Sequence, residues 1–331
     1  MVVDRSRALM PSQGLDTALR DASLRPRVVD VERRSVLVTR IGGTAQVSDL
    51  SVPTNCDGLG RVRHFRQAVV PGWPDNPLPI VPAARWLGVP SPSKMIAQVY
   101  QLAACAWRCW YCYVPYASLR AAPATSVWRT ADALVDAYLD LVDRPPIVDL
   151  SGGSPDLAPE WILWTLEAIE RRGASATSFV WSDDNLSSDR LLTDEGRTLL
   201  DQIARYSNYG RACCLKGLDA QAFAFNTRAR SEGFERQLAI LAGYARSTMD
   251  LHVYLPLVGP PGPCAKTQVD TILDRLSAIR ADLPARTVPL FIGRFSTMAG
   301  RVDDVHERAL DRQWELLAHW ERAAPAHVSM R

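Results

Sequence analysis

An α/β fold built on a parallel sheet is predicted by three features of this 331-residue chain. From about residue 95 onward, short apolar segments rich in β-branched and aromatic residues alternate with segments of helical periodicity. Six β-then-α units follow one another, and each strand-like segment ends in a turn or a polar cluster. Such a succession implies parallel strands joined by helical crossovers, and six units are too few for an eight-stranded barrel.

The strand candidates are residues 95–103, 147–150, 178–181, 211–215, 251–257 and 288–295. Between them, residues 130–142 place Leu134, Ala137, Tyr138 and Leu141 on one helical face. Pro159 opens the next helix, where a missing amide hydrogen costs nothing, and Gly173 closes it. Residues 193–206, 234–246 and 268–279 are the remaining crossovers, and Pro260–Gly262 reads as a rigid turn. At the end, 305–323 reads as an amphipathic helix with Leu310, Trp314 and Leu317 on its stripe.

Residues before about 90 lack the alternation. Residues 35–41 fit one strand, 55–60 and 71–82 are rich in turn formers, and the first thirty or so have no periodic pattern and are expected to be poorly ordered. The expected division is an N-terminal extension (1–90) serving as lid or partner surface, a core (91–300), and a C-terminal helix (301–331) packed on it.

Composition sets the class. The chain is 47% hydrophobic and 22% charged, with a net charge of +2, so no global field points to nucleic acid or an acidic membrane. No apolar run is long enough to cross a bilayer, and the polar N-terminal residues do not resemble a secretory signal. Seven cysteines, three of them within eight residues, make a poor disulfide framework. A reducing, cytoplasmic setting is expected.

Those three are Cys105, Cys109 and Cys112, in Cys-Ala-Trp-Arg-Cys-Trp-Tyr-Cys, directly after the first strand. Three thiolates are one fewer than a closed four-iron cluster needs. Zinc commonly takes four ligands in paired units, which Cys56, Cys213, Cys214 and Cys264 do not supply. A Cys-x3-Cys-x2-Cys motif with an aromatic residue, here Tyr111, before the last cysteine resembles the radical S-adenosylmethionine (SAM) superfamily.

The resemblance covers roughly residues 95–296 and implies a partial (β/α)6 TIM-like barrel. It implies a [4Fe-4S] cluster on Cys105, Cys109 and Cys112 whose fourth iron binds SAM. One electron, from a donor such as flavodoxin or ferredoxin, then splits SAM into methionine and a 5′-deoxyadenosyl radical. That radical takes a hydrogen atom from a small-molecule or peptide/protein substrate. A glycyl-radical-enzyme activase is the alternative within the family. An iron-sulfur electron-transfer protein, closed by a fourth ligand from Cys56 or Cys264, and a zinc-bound interaction module are alternatives outside it.

Further residues follow from the same resemblance. Gly152-Gly153-Ser154-Pro155, after the second strand, takes the place of a Gly-Gly-Glu-Pro segment that holds the SAM amino group; here Ser154 replaces the glutamate. Ser182 and Asp183, after the third strand, reach the SAM ribose or the substrate, or they only cap a turn. Lys216, one of three lysines in the chain, lies near the SAM carboxylate or is simply a strand-end lysine. Leu257 and Val258 contribute to the adenine pocket or to ordinary core. Trp107 and Trp110 shield the ligands or pack their loop. The 219–233 connection, with Phe223, Phe225, Asn226, Arg228 and Arg230, is a candidate substrate-contact loop.

Overall fold

The computed structural model describes residues 14–69, 75–262 and 264–325. It starts with α1 (Thr17–Leu24), whose free Leu19 amide is capped by the Asp16 carboxylate. Next come β1 (Val29–Asp30), β2 (Ser35–Thr39), β3 (Gly60–Arg66), α2 (Ile80–Leu87) and β4 (Lys94–Tyr100). After the cysteine segment, β5 (Ser126–Thr130) runs directly into α3 (Ala131–Leu139), capped by Thr130. The chain then alternates through β6 (Ile147–Leu150), α4 (Glu160–Arg171), β7 (Phe179–Asp184), α5 (Asp194–Ala204) and β8 (Tyr209–Cys214). Two helices, α6 (Ala220–Thr227) and α7 (Gly233–Tyr244), precede β9 (Asp250–Pro256). Finally come α8 (Ala265–Ile279), β10 (Thr287–Leu290) and α9 (Asp304–Ala323).

Seven strands form one sheet in the order β10-β9-β8-β7-β6-β4-β3. Strands β4, β6, β7, β8, β9 and β10 are parallel to their neighbours, and β3 is antiparallel on the free edge of β4. Because β3 and β10 do not pair with each other, the sheet curls into a half-barrel and stays open. A small antiparallel sheet, β1-β2-β5, stands beside it.

Strand side chains alternate between faces. The convex face packs under the helices in the larger core, where Val148, Leu150, Val180, Cys213 and Val253 sit. The concave face carries Phe65, Met95, Ala97, Ile147, Phe179, Trp181 and Cys214, closed by Ile80, Ala83 and Ala84 of α2. Ile147 and Phe179 are the first residues of β6 and β7, so α2 floors the amino ends of the strands and leaves the carboxyl ends to the cysteine segment.

Several expectations are corrected. The first strand stops at Tyr100, because Leu102 turns away to donate to the Gly152 carbonyl at 3.2 Å, and the last stops at Leu290. Residues 14–30 are ordered around α1; the expectation for residues 1–13 lies outside the described residues. Strand β3 escaped detection because its inward positions hold Arg61 and Arg63, which inverts the usual apolar-inward pattern. Helix α2 begins within the turn-rich 71–82 stretch. On α9 the buried stripe is Ala309, Leu310, Gln313, Leu316 and Trp320, while Trp314 is 62% exposed and packs at a tilt against Phe291. The 219–233 connection is mostly the helix α6, not a loop.

Candidate functional site

The cysteine segment is fastened on every side by its own backbone. Ala103 donates to Leu37 at 2.9 Å, Ala121 to Ala103 at 2.7 Å, and Trp110 to Asn226 at 3.2 Å. Asn226 also accepts from the Trp110 indole at 3.0 Å and donates to the carbonyls of Lys216 (2.8 Å) and Val258 (2.9 Å). It therefore ties the segment to the ends of β8 and β9; its role is support. The Tyr116 hydroxyl donates to the Arg108 and Cys109 carbonyls, and Thr297 and Arg301 both donate to the Cys112 carbonyl at 3.0 Å.

Cys105 and Cys109 are buried and Cys112 is half-buried. Burial pushes all three thiols up, Cys109 to about 12, and the Lys216 ammonium pulls each back down. For Lys216, burial lowers the value, yet the surrounding sulfurs, Cys214 first, outweigh it and raise it. Its ammonium lies 5.7 Å from the centre of the Trp107 ring. Trp107 and Trp110 are fully buried, and Trp107 packs edge-on against Phe223 at 5.5 Å. The Tyr111 hydroxyl is enclosed beside the Cys109 sulfur, its hydrogen-bond partner.

Among the described residues, no three His, Cys, Asp or Glu side chains are gathered tightly enough to hold a single metal ion. Three soft thiol donors on one segment are a ligand set that an iron-sulfur cluster takes, and one short of the four that structural zinc commonly takes.

The glycine pair meets the cysteine segment edge to edge. Gly153 has φ +71°, and a Cβ there would lie 2.2 Å from the Leu102 carbonyl oxygen and 2.6 Å from that of Ala104. Gly152, at φ +92°, lies against the Gln101 side chain. Only glycine meets both demands. Ser154 donates its amide to the Ala104 carbonyl at 2.7 Å, and its hydroxyl to the Cys105 sulfur at 3.1 Å. The residue that departs from the family pattern is thus a partner of a cysteine sulfur. Pro155 starts a short 3-10 turn that leads on to α4.

Two residues not singled out from sequence complete this corner. Asn185 donates to the Ser154 hydroxyl at 3.0 Å and to the Gly153 carbonyl at 2.6 Å. Gln237, on α7, donates to the Asn185 carbonyl at 2.7 Å and accepts from the Lys216 amide at 3.1 Å. Asn185 follows directly on Ser182, Asp183 and Asp184, so its signal in the sequence is only its place after the third strand of the parallel series; Gln237 carries no local signal.

Ser182 and Asp183 part company, as adjacent strand residues must. Asp183 faces inward, accepting from Ser151 (2.6 Å), Arg63 (2.9 Å) and the Trp181 indole (3.1 Å). Ser182 faces the helices and pairs with the Tyr209 hydroxyl at 2.7 Å, so it is not brought to the cysteines. Arg63 also bridges to Asp149 at 2.9 Å, a carboxyl that burial pushes up. Leu257 and Val258 are buried in the larger core.

No protein-family model matches the chain, and no curated protein matches it. Solved structures similar to it include SuiB from Streptococcus suis bound to S-adenosylmethionine (TM-score 0.47, 13% identity, 69% of this chain and 48% of that one). Others are TsrM from Kitasatospora setae, a radical S-adenosylmethionine methyltransferase with tryptophan and a SAM analogue bound (0.37, 16%, 54% and 33%). OxsB, a cobalamin-dependent S-adenosylmethionine radical enzyme with aqua-cobalamin and S-adenosylmethionine bound, is similar too (0.37, 13%, 66% and 30%). The chain spans less than half the length of each.

Proposed function

We propose that this chain is a radical SAM enzyme built on a partial (β/α)6 barrel. The observation that supports this most is the contact between two motifs: a Cys-x3-Cys-x2-Cys segment after the first parallel strand, locked through Gly153 and Ser154 onto the glycine pair after the second. Cys105, Cys109 and Cys112 would hold a [4Fe-4S] cluster. When bound, that group supplies one electron, received from a flavodoxin- or ferredoxin-type donor, to split SAM into methionine and a hydrogen-abstracting 5′-deoxyadenosyl radical. Gly152 and Gly153 let backbone groups approach the SAM amino group closely. Lys216 brings a positive charge to the thiolates and to the SAM carboxylate. Trp107 and Trp110 keep water away. The reading assigns the chain to the cytoplasm, where the thiols stay reduced.

The electron-transfer alternative needs a fourth cysteine. Cys56 instead accepts from the Tyr100 hydroxyl at 3.2 Å near Ala137 of α3, and Cys264 is exposed beside α8. Neither joins the triad.

Anaerobic reconstitution should load about four irons per chain, and dithionite with SAM should release 5′-deoxyadenosine. In Cys109→Ala, iron loading should be lost while circular dichroism and the melting transition stay near wild type, because all three ligands sit on one externally fastened segment. Iron uptake without SAM cleavage, or global unfolding of this variant, would refute the reading.

A further inference from the structure

We propose that Arg61 is the receptor for a carboxylate group of the molecule bound in the half-barrel. This rests on the concave face being the reaction chamber. Strand β3 presents Arg61, Arg63 and Phe65 on one side, and Phe65 lies in the apolar floor with Met95 and Ala97, so this side faces the concavity. Arg61 pairs in register with Val99 and Arg63 with Ala97, which puts Arg61 one inward position nearer the mouth.

The guanidinium has a protein environment but no anion in contact; Asp149 and Asp183 act on it only from a distance, and both are engaged by Arg63. Arg61 is 8% exposed, its side chain makes no hydrogen bond or ion pair among the described residues, and its Nε is enclosed without a partner. Its contact is with the Tyr113 ring, 5.1 Å away, one residue past Cys112. The molecule's other deeply placed arginines are neutralised: Arg63 meets Asp149 and Asp183 at 2.9 Å, and Arg211 meets Asp184 at 2.9 Å. A desolvated guanidinium keeps its charge and is costly to bury without a counter-ion, and its planar fork matches a carboxylate.

Three further enclosed polar atoms have no partner: Asp149 Oδ1, whose carboxyl group acts on the Arg61 charge, and Gln46 Oε1 and Gln101 Nε2. Gln46 donates to Gln101 at 3.3 Å, and Gln101 lies against Gly152. The unpaired set thus includes Arg61 and reaches the glycine pair. Two carboxylates already flank Arg63, so a monoanion suits this corner better than a phosphate dianion. Two molecules can supply it: the substrate, or the methionine end of SAM.

The test uses the full-length protein, wild type and Arg61→Gln, with Arg61→Lys as a charge-retaining control. Thermal stabilisation by butyrate is compared with that by its amide, butyramide. Binding of SAM is compared with binding of decarboxylated SAM on the reconstituted protein. If the substrate supplies the carboxylate, butyrate but not butyramide stabilises wild type, Arg61→Gln loses that response, and SAM affinity is unchanged. If SAM supplies it, Arg61→Gln binds SAM at least tenfold more weakly but decarboxylated SAM as wild type does. The proposal is overturned if Arg61→Gln changes neither comparison, or if wild type fails to discriminate in both. Misfolding of Arg61→Gln leaves the wild-type discrimination and Arg61→Lys to decide. Failure of iron loading or SAM cleavage, with the butyrate response lost in Arg61→Gln, would defeat the radical reading and leave the receptor standing.

Discussion

At the scale of single residues, two side chains act on the cysteine triad, Ser154 through a hydrogen bond and Lys216 through its charge. The Ser154 hydroxyl accepts from Asn185 at 3.0 Å, so its own proton is directed at the Cys105 sulfur, 3.1 Å away. Hydrogen bonds to cluster sulfurs raise the reduction potential, because they stabilise the more negative reduced state. Ser154→Ala should therefore load iron normally but show a lower potential by redox titration followed with electron paramagnetic resonance. A tenfold change in the one-electron equilibrium, about 59 mV, is the expected order, and Ser154→Thr should restore most of it. An unmoved potential would mean the hydroxyl proton is not on the sulfur. Lys216→Ala should leave iron content intact and weaken SAM binding by about 1.5–3 kcal/mol, roughly ten- to a hundredfold. Equal SAM affinity would remove Lys216 from the site. Spacing along the chain makes the cysteines and glycines legible in sequence. Asn185, Gln237 and Arg61 were not legible, since each acts only because distant elements converge on it.

At the scale of elements, the link between the first two parallel strands decides whether the site assembles. Ser151 donates its amide to Tyr100, Leu102 to Gly152, and Ser154 to Ala104, so the two post-strand segments run on as an extension of the sheet. The contact is possible only because Gly153 has no side chain where two carbonyl oxygens press in. Gly153→Ala should cost about 1–3 kcal/mol from its left-handed φ alone, plus whatever displacement the overlapped carbonyls require. Urea denaturation should show the loss of stability, and iron uptake should fall with it. Wild-type stability in this variant would mean that the segments separate easily. The parallel strands and crossovers were readable because helical and strand periodicities differ and each element is apolar toward its core. Strand β3 was not, since the chamber it lines is polar.

At the scale of the whole molecule, the segment from Leu15 to Arg25 straps together loops that the sheet alone leaves apart. Leu15 pairs with Ala229 after α6, and Arg20 donates to the Ala106 carbonyl at 2.6 Å. Thr17 accepts from the Trp107 indole at 3.1 Å, and Arg25 donates to Leu157 (2.7 Å) and pairs with Glu160 (2.6 Å). The sequence hid this strap because it is short and holds itself down through polar side chains, which look like the side chains of a solvated tail. At its centre Asp21 is 9% exposed, beside Asp156 and the Ser187 hydroxyl. Burial, and then the Asp156 charge, push the Asp21 carboxyl up to about 8, against the pull of Arg236. A group whose folded value lies above its unfolded one stabilises the fold fully below the unfolded value, and that contribution is lost as pH rises through the folded one. For Asp21 the window runs from about 4, the ordinary carboxylate value, to about 8. Wild type should lose stability across it with a slope approaching one proton, at most about 1.4 kcal/mol per pH unit. Asp21→Asn, which cannot ionise, should flatten that slope and be the more stable protein at pH 8 in urea titrations. Parallel pH profiles for the two proteins would show that Asp21 ionises freely, with the strap lifted from the barrel.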